Sequence, residues 1–195
     1  MPLSEPVERD PMHTRTLDMR AYRRADGLWD IEGHLIDTKP FDYVMIDSAR
    51  APNEPIHDMW LRLTIDRELL VHEAEAWMDT GAHFLCNDVS PAFAALAGLK
   101  IGAGWNRAVR ERLGGRGGCT HLVEMTGQMA TTAMQALWAE DEKEAMQDGE
   151  AYELPSSMID SCYAYRQESE YVRRYFPTHY VAPEDEHAER DTDAG

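Results

Sequence analysis

Gly114-Gly115-Arg116-Gly117-Gly118-Cys119-Thr120-His121-Leu122-Val123-Glu124 is the stretch from which the rest of this chain is best read. A glycine run frees the backbone from side-chain sterics, and a thiol, an imidazole and a carboxylate follow where a helix is due to begin. Thr120 reads as the N-cap, and Leu122, Met125, Met129, Ala133, Ala136 and Leu137 recur at helical spacing. Cys119 then stands at the positive end of a helix dipole, which favours a thiolate. His121 and Glu124 lie three residues apart and share one helix face. The stretch therefore forms one wall of a metal or thiol site, on a helix whose apolar stripe needs a partner surface.

That partner is upstream. Leu17, Met19 and Ala21 alternate with Asp18, Arg20 and Tyr22 as in a half-buried strand, and the turn Ala25-Asp26-Gly27 leads into a second strand from Leu28 to Thr38. His34 and Asp37 fall on opposite faces of this strand and make a poor common ligand set, so Glu32, His34 and Asp37 read as polar sheet surface. Lys39, just beyond, is expected to be an ordinary exposed lysine, with neutralisation of an acidic ligand as the alternative. Pro40, Pro52 and Pro55 mark residues 40–56 as a long loop of the kind that forms lids. The clearest alternation follows: His57, Met59, Leu61, Leu63 and Ile65 point one way, Asp58, Trp60, Arg62, Thr64 and Asp66 the other. Leu69 to Met78 reads as the returning antiparallel strand.

Ser90 and Pro91 announce a helix closed by Gly98, and Trp105 to Leu113 forms another, stopped by Gly114-Gly115. The helix from Thr120 runs past Trp138, and the charged residues Glu140 to Glu150 are expected to fray. The aromatic residues between 155 and 181 are expected to pack back as a strand and a short helix. The fold class is therefore α+β, an antiparallel sheet with helices on one face. We expect a mobile arm over 1–15, a single domain over 16–181 and a disordered acidic tail over 182–195.

Composition limits the partners. The chain has 195 residues, 43% of them hydrophobic, enough for one ordinary core. Its 36 acidic and 19 basic residues give a net charge of -17, which repels phosphate backbones and anionic bilayers. Nucleic acid and membrane are therefore not expected as partners. The N-terminus carries neither a basic region nor an apolar run, so a cytoplasmic location is expected. With 3 cysteines the chain is not a disulfide framework, and free or metal-bound thiols are expected.

Four side chains with metal-ligand chemistry stand at element ends: His57 at a strand start, Cys86 in a loop before a helix, and Cys119 and His121 at a helix start. Mixed sulfur and nitrogen ligands suit zinc or iron, although the spacing matches no compact zinc motif. Two other readings stay open. In one, the cysteines are small buried groups and the histidines polar rim residues. In the other, Cys119 is a nucleophile with His121 or His57 as base and Glu124 as orienter.

The segments Pro55-Ile56-His57-Asp58-Met59-Trp60-Leu61-Arg62-Leu63, Arg107-Ala108-Val109-Arg110-Glu111-Arg112-Leu113-Gly114-Gly115, Gly118-Cys119-Thr120-His121-Leu122 and Met129-Ala130-Thr131-Thr132-Ala133 resemble a bacterial family designated domain of unknown function 2889. The likeness spans residues 12 to 181 or so. More distantly, the order of elements resembles the NifU-type iron-sulfur scaffold and the SufE-like fold. That resemblance implies a first ligand at His57 or Asp58, a second at Cys86 and a last at Cys119. Histidine in place of a cysteine suits a mononuclear metal with an open position better than a cluster.

The function expected on these grounds is a mononuclear zinc- or iron-dependent hydrolase or lyase acting on a small organic substrate. His57, Cys86, Cys119 and His121 would be its metal ligands, and Asp58 or Glu124 would handle protons. Trp105 and Trp60 are expected to be plain core, with the alternative that they and the 41–56 loop shape its pocket. An iron-sulfur or sulfur-relay scaffold and a metal-free interaction module are the alternatives.

Overall fold

The computed structural model describes residues 3–149 and 152–183, so most of the expected acidic tail lies outside the described residues. The chain divides into two compact units, Met1–Glu140 and Asp141–Gly195. The fold is α+β. In the first unit a four-stranded antiparallel sheet runs in the order β1-β2-β5-β6, from β1 (Thr14–Arg23), β2 (Trp29–Thr38), β5 (His57–Ile65) and β6 (Val71–Thr80). A two-stranded ribbon, β3 (Tyr43–Val44) with β4 (Ala49–Arg50), lies within the 40–56 segment that was expected as a long loop. Helices α1 (Trp105–Leu113) and α2 (Thr120–Asp148) follow, preceded by a stretch of 3-10 turns over Cys86–Leu96. No helix among the described residues is long and apolar enough to cross a membrane.

The strands follow their alternation. In β2, Trp29, Ile31, Leu35 and Asp37 are buried, and each alternates with a half-buried residue. In β5, Met59, Leu61, Leu63 and Ile65 are buried while Trp60 and Arg62 are exposed. These inward residues meet Phe93, Leu96, Trp105, Val109, Leu122, Met125 and Met129 in one hydrophobic core. Gly33 marks where the long helix crosses the sheet: a Cβ there would lie 3.0 Å from the Met125 sulfur and 3.1 Å from the sulfurs of Met129 and Met19. The absent side chain lets α2 settle onto β2. His121, one turn before Met125, is thereby carried towards the end of β2 and the start of β5.

Several expected boundaries differ. Ser90 does not cap a helix: its Oγ donates to Asn87 Oδ1 at 2.9 Å, and the turns begin at Cys86 and pass through Pro91. A proline within the stretch removes a backbone donor and biases its predecessor away from α geometry, so the chain winds as 3-10 turns. Cys119 rather than Thr120 caps α2, since its carbonyl accepts from Val123 N–H at 2.9 Å. The helix continues to Asp148 instead of fraying at Glu140, whose carboxylate is held by Arg23 at 2.6 Å. Alanine, glutamate, methionine and lysine are good helix formers, which carries the last turns.

In the second unit, no strand occurs over 155–181 among the described residues. Short 3-10 turns at Ser156–Met158 and Pro177–His179 flank α3 (Glu170–Tyr175), which Ser169 caps by accepting from Val172 N–H at 3.1 Å. The aromatic residues here pack on one another, Tyr171 with Tyr175 at 5.0 Å and with Tyr165 edge-on at 5.6 Å, so a strand is not needed to bury them.

Candidate metal and thiol centre

Asp37 closes the inward face of β2 and is fully buried. A bare carboxylate there would be costly, so its partners are decisive. Arg15, opposite it across the β1–β2 register, forms a fork, Nε to Oδ1 and Nη2 to Oδ2, both 2.8 Å. His57, opposite it on β5, donates Nδ1–H to Oδ2 at 2.8 Å, and His13 donates Nε2–H to Oδ1 at 3.1 Å. Burial alone would raise the Asp37 carboxyl, yet the Arg15 fork and the His57 hydrogen bond outweigh it and hold the group well below the usual carboxylate range.

From the helix side His121 reaches the same point. Its ring lies 4.2 Å from the His57 ring, and its Nδ1 is 3.8 Å from Cys119 Sγ. Burial pushes the His121 imidazole below its ordinary value, and the neighbouring His57 and Arg15 act in the same direction. It is therefore biased to the neutral form a metal ligand needs. Asp37, His57 and His121 each offer a ligand atom, all within 4.8 Å of one another.

The expected site residues are placed as follows. His57 and His121 come together with Cys119 beside them. Cys86 lies on an adjoining groove of about 520 Å³ that Cys119 also lines. Glu124 is exposed and lies 3.6 Å from Arg15 Nη1. Asp58 projects from the opposite face of the sheet, where it accepts from His34 Nε2 at 2.6 Å and the His34 ring stacks on Trp60 at 3.5 Å. Trp105 is core, its indole N–H donating to the Thr126 carbonyl at 3.1 Å. Lys39 lies over the rings of Tyr43 and Phe41 and does not meet the acid; Arg15 does.

Asp37 was read as part of a polar sheet face, and the structure corrects this. Its signal was its phase, two residues beyond Leu35 and in step with Trp29 and Ile31, which puts an acid on the apolar side. Arg15 and His13 lay in or beside the stretch taken for a mobile arm and carried no such signal.

The family model described as protein of unknown function (DUF2889) matches residues 13–135, more than half of the chain. The chain belongs to the DUF2889 family. In this DUF2889 protein the matched span runs from His13, the first partner of Asp37, through His57 and Cys119 to the core of α2. No curated protein and no solved structure matches the DUF2889 chain significantly.

Proposed function

We propose that this chain binds one zinc or iron ion through His57, His121 and Cys119 and works as a metal-dependent hydrolase or lyase on a small organic substrate. The observation that carries this reading is the meeting of a strand-start histidine and a helix-start histidine, 4.2 Å apart ring to ring, over a buried carboxylate. Asp37 is better suited to orient than to ligate. Its two oxygens accept from His13, from Arg15 twice and from His57, which uses the lone-pair sites of a carboxylate. It fixes the His57 tautomer and leaves the other ring nitrogen for the metal, a carboxylate–histidine–metal arrangement.

Two imidazoles and a thiolate fit zinc or ferrous iron and leave a coordination position open. A metal there would supply Lewis-acid polarisation of a carbonyl. Arg15 keeps Asp37 ionised, and Glu124, 3.6 Å from Arg15 Nη1 and open to solvent, would exchange protons with a substrate. Elemental analysis of chelator-free protein is expected to find one metal per chain in wild type and little in His57→Ala or His121→Ala. Metal-free wild type that takes up no zinc on titration would sink the reading.

The 3.8 Å approach of Cys119 Sγ to His121 Nδ1 favours a second reading, a metal-free thiol nucleophile with His121 as its base. Rapid alkylation of Cys119 in the metal-free wild type, slowed in His121→Ala, supports that reading. An iron-sulfur scaffold has less support, because the converging groups are mostly nitrogen and oxygen.

A further inference from the structure

We propose that the groove beside Cys119 binds a small apolar organic acid, its carboxylate on Arg116 and its hydrocarbon part over Phe84 and Leu85. The inference deepens the metal-centre reading and rests on it for the chemistry at Cys119, which lines the groove and also touches His121. The groove's volume, about 520 Å³, lies in the range of small-molecule sites. Phe84 and Leu85 are adjacent and 82% and 59% exposed, two large apolar side chains left in water at one wall. Val89 continues the apolar wall into the first core layer. An exposed apolar patch rimmed by polar groups is a common mark of a ligand-binding groove.

Arg116 supplies the charge. Arg15, Arg23 and Arg62 are each held by a carboxylate, whereas Arg116 has no ion pair among the described residues. It sits in the 3-10 turn Gly115–Gly117, and the positive φ of +58° at Gly115 turns the chain so that Arg116 and Cys119 line the same groove. One guanidinium matches one carboxylate. The chain's charge of -17 disfavours a polyanion in the same place. Asp47, the acid on the groove wall, is turned onto His83 Nδ1 at 3.1 Å.

The test uses the full chain, with 4-phenylbutyrate and octanoate as probes and neutral 4-phenylbutyramide as control, read by calorimetry and ligand-observed NMR. Both acids are expected to bind and the amide to bind more weakly. Arg116→Ala should weaken the acids about tenfold, the loss of one charge-assisted hydrogen bond, with Arg116→Lys recovering part. Phe84→Ser should weaken acid and amide alike. Both positions are exposed, so an unchanged melting temperature shows that the fold is intact. Equal binding of acid and amide, or wild-type binding by Arg116→Ala, overturns the assignment. Zinc content is measured on the same samples. Bound zinc without binding of either acid overturns the groove assignment and leaves the metal centre standing. Acid binding in a chain that takes up no zinc keeps the groove and removes the metal.

Discussion

Asp37 and His57 are register partners on adjacent strands, and a 2.8 Å hydrogen bond from His57 Nδ1 to Asp37 Oδ2 ties them on the inner face of the sheet. The pairing is reinforced next door, where Ile56 N–H donates to the Asp37 carbonyl at 2.8 Å and fixes the start of β5. A histidine at a strand's first residue would otherwise have a free rotamer. Here it is aimed.

Asp37→Asn keeps the shape and removes the charge that balances Arg15 and orients His57. Breaking one side of a buried pair costs about 3 kcal/mol, so the urea midpoint should fall by that equivalent. Zinc affinity should fall by 10- to 100-fold, roughly the effect of losing a carboxylate behind a ligating histidine. A variant as stable as wild type would mean that Arg15 and His57 do not depend on this acid.

Acid should destabilise the metal-free protein through the same residue. The folded Asp37 carboxyl lies below its ordinary value of 3.8, so the unfolded chain takes up the proton first. Stability from this group is complete above that value and is lost as pH falls further, by something on the order of 2 kcal/mol. Urea midpoints measured in chelator from pH 6 to pH 2 should drop more steeply in wild type than in Asp37→Asn.

Asp58→Asn provides the contrast. Asp58 is on the outer face with His34 and Trp60, away from the His57–His121 contact. Its replacement should leave metal content unchanged. It should cost no more than about 1 kcal/mol, the usual worth of a partly exposed pair. Metal loss in this variant would place the centre on the wrong side of the sheet.

Gly33→Ala should change stability by no more than about 1 kcal/mol, because the three methionine sulfurs at 3.0–3.1 Å from the new methyl group belong to flexible side chains that need give only slightly. Gly33→Val should destabilise by about 1–3 kcal/mol, since its branched side chain overpacks the space under α2, and zinc affinity should fall with stability; a Gly33→Val protein with wild-type stability would show that α2 does not rest there.

β2 and β5 were readable because one face of each is apolar, and α1 because its stripe of Trp105, Val109 and Leu113 ends at Gly114. His57, Cys119 and His121 were recognisable as chemistry at element ends. Asp37 had only its phase to mark it, because an acid near a strand's end is usually solvated, and its burial is explained by Arg15, His57 and His13. Those partners come from β1, β5 and the residue just before β1, and register between strands is not written in any one segment. The 3-10 path over Cys86–Leu96 escaped for the opposite reason: Ser-Pro is a strong local signal for a helix start, and the packing of Phe93 and Leu96 into the core overrode it.

The connection between α1 and α2 has no slack. A methyl group on Gly114 would stand 2.4 Å from the Arg110 carbonyl oxygen, and one on Gly118 2.2 Å from that of Leu113, so both ends are pressed onto the last turn of α1. A hinge cannot operate there, and insertions or deletions between Leu113 and Cys119 would be poorly tolerated. The part of the groove wall built by Arg116, Gly118 and Cys119 is thereby fixed in position against α1.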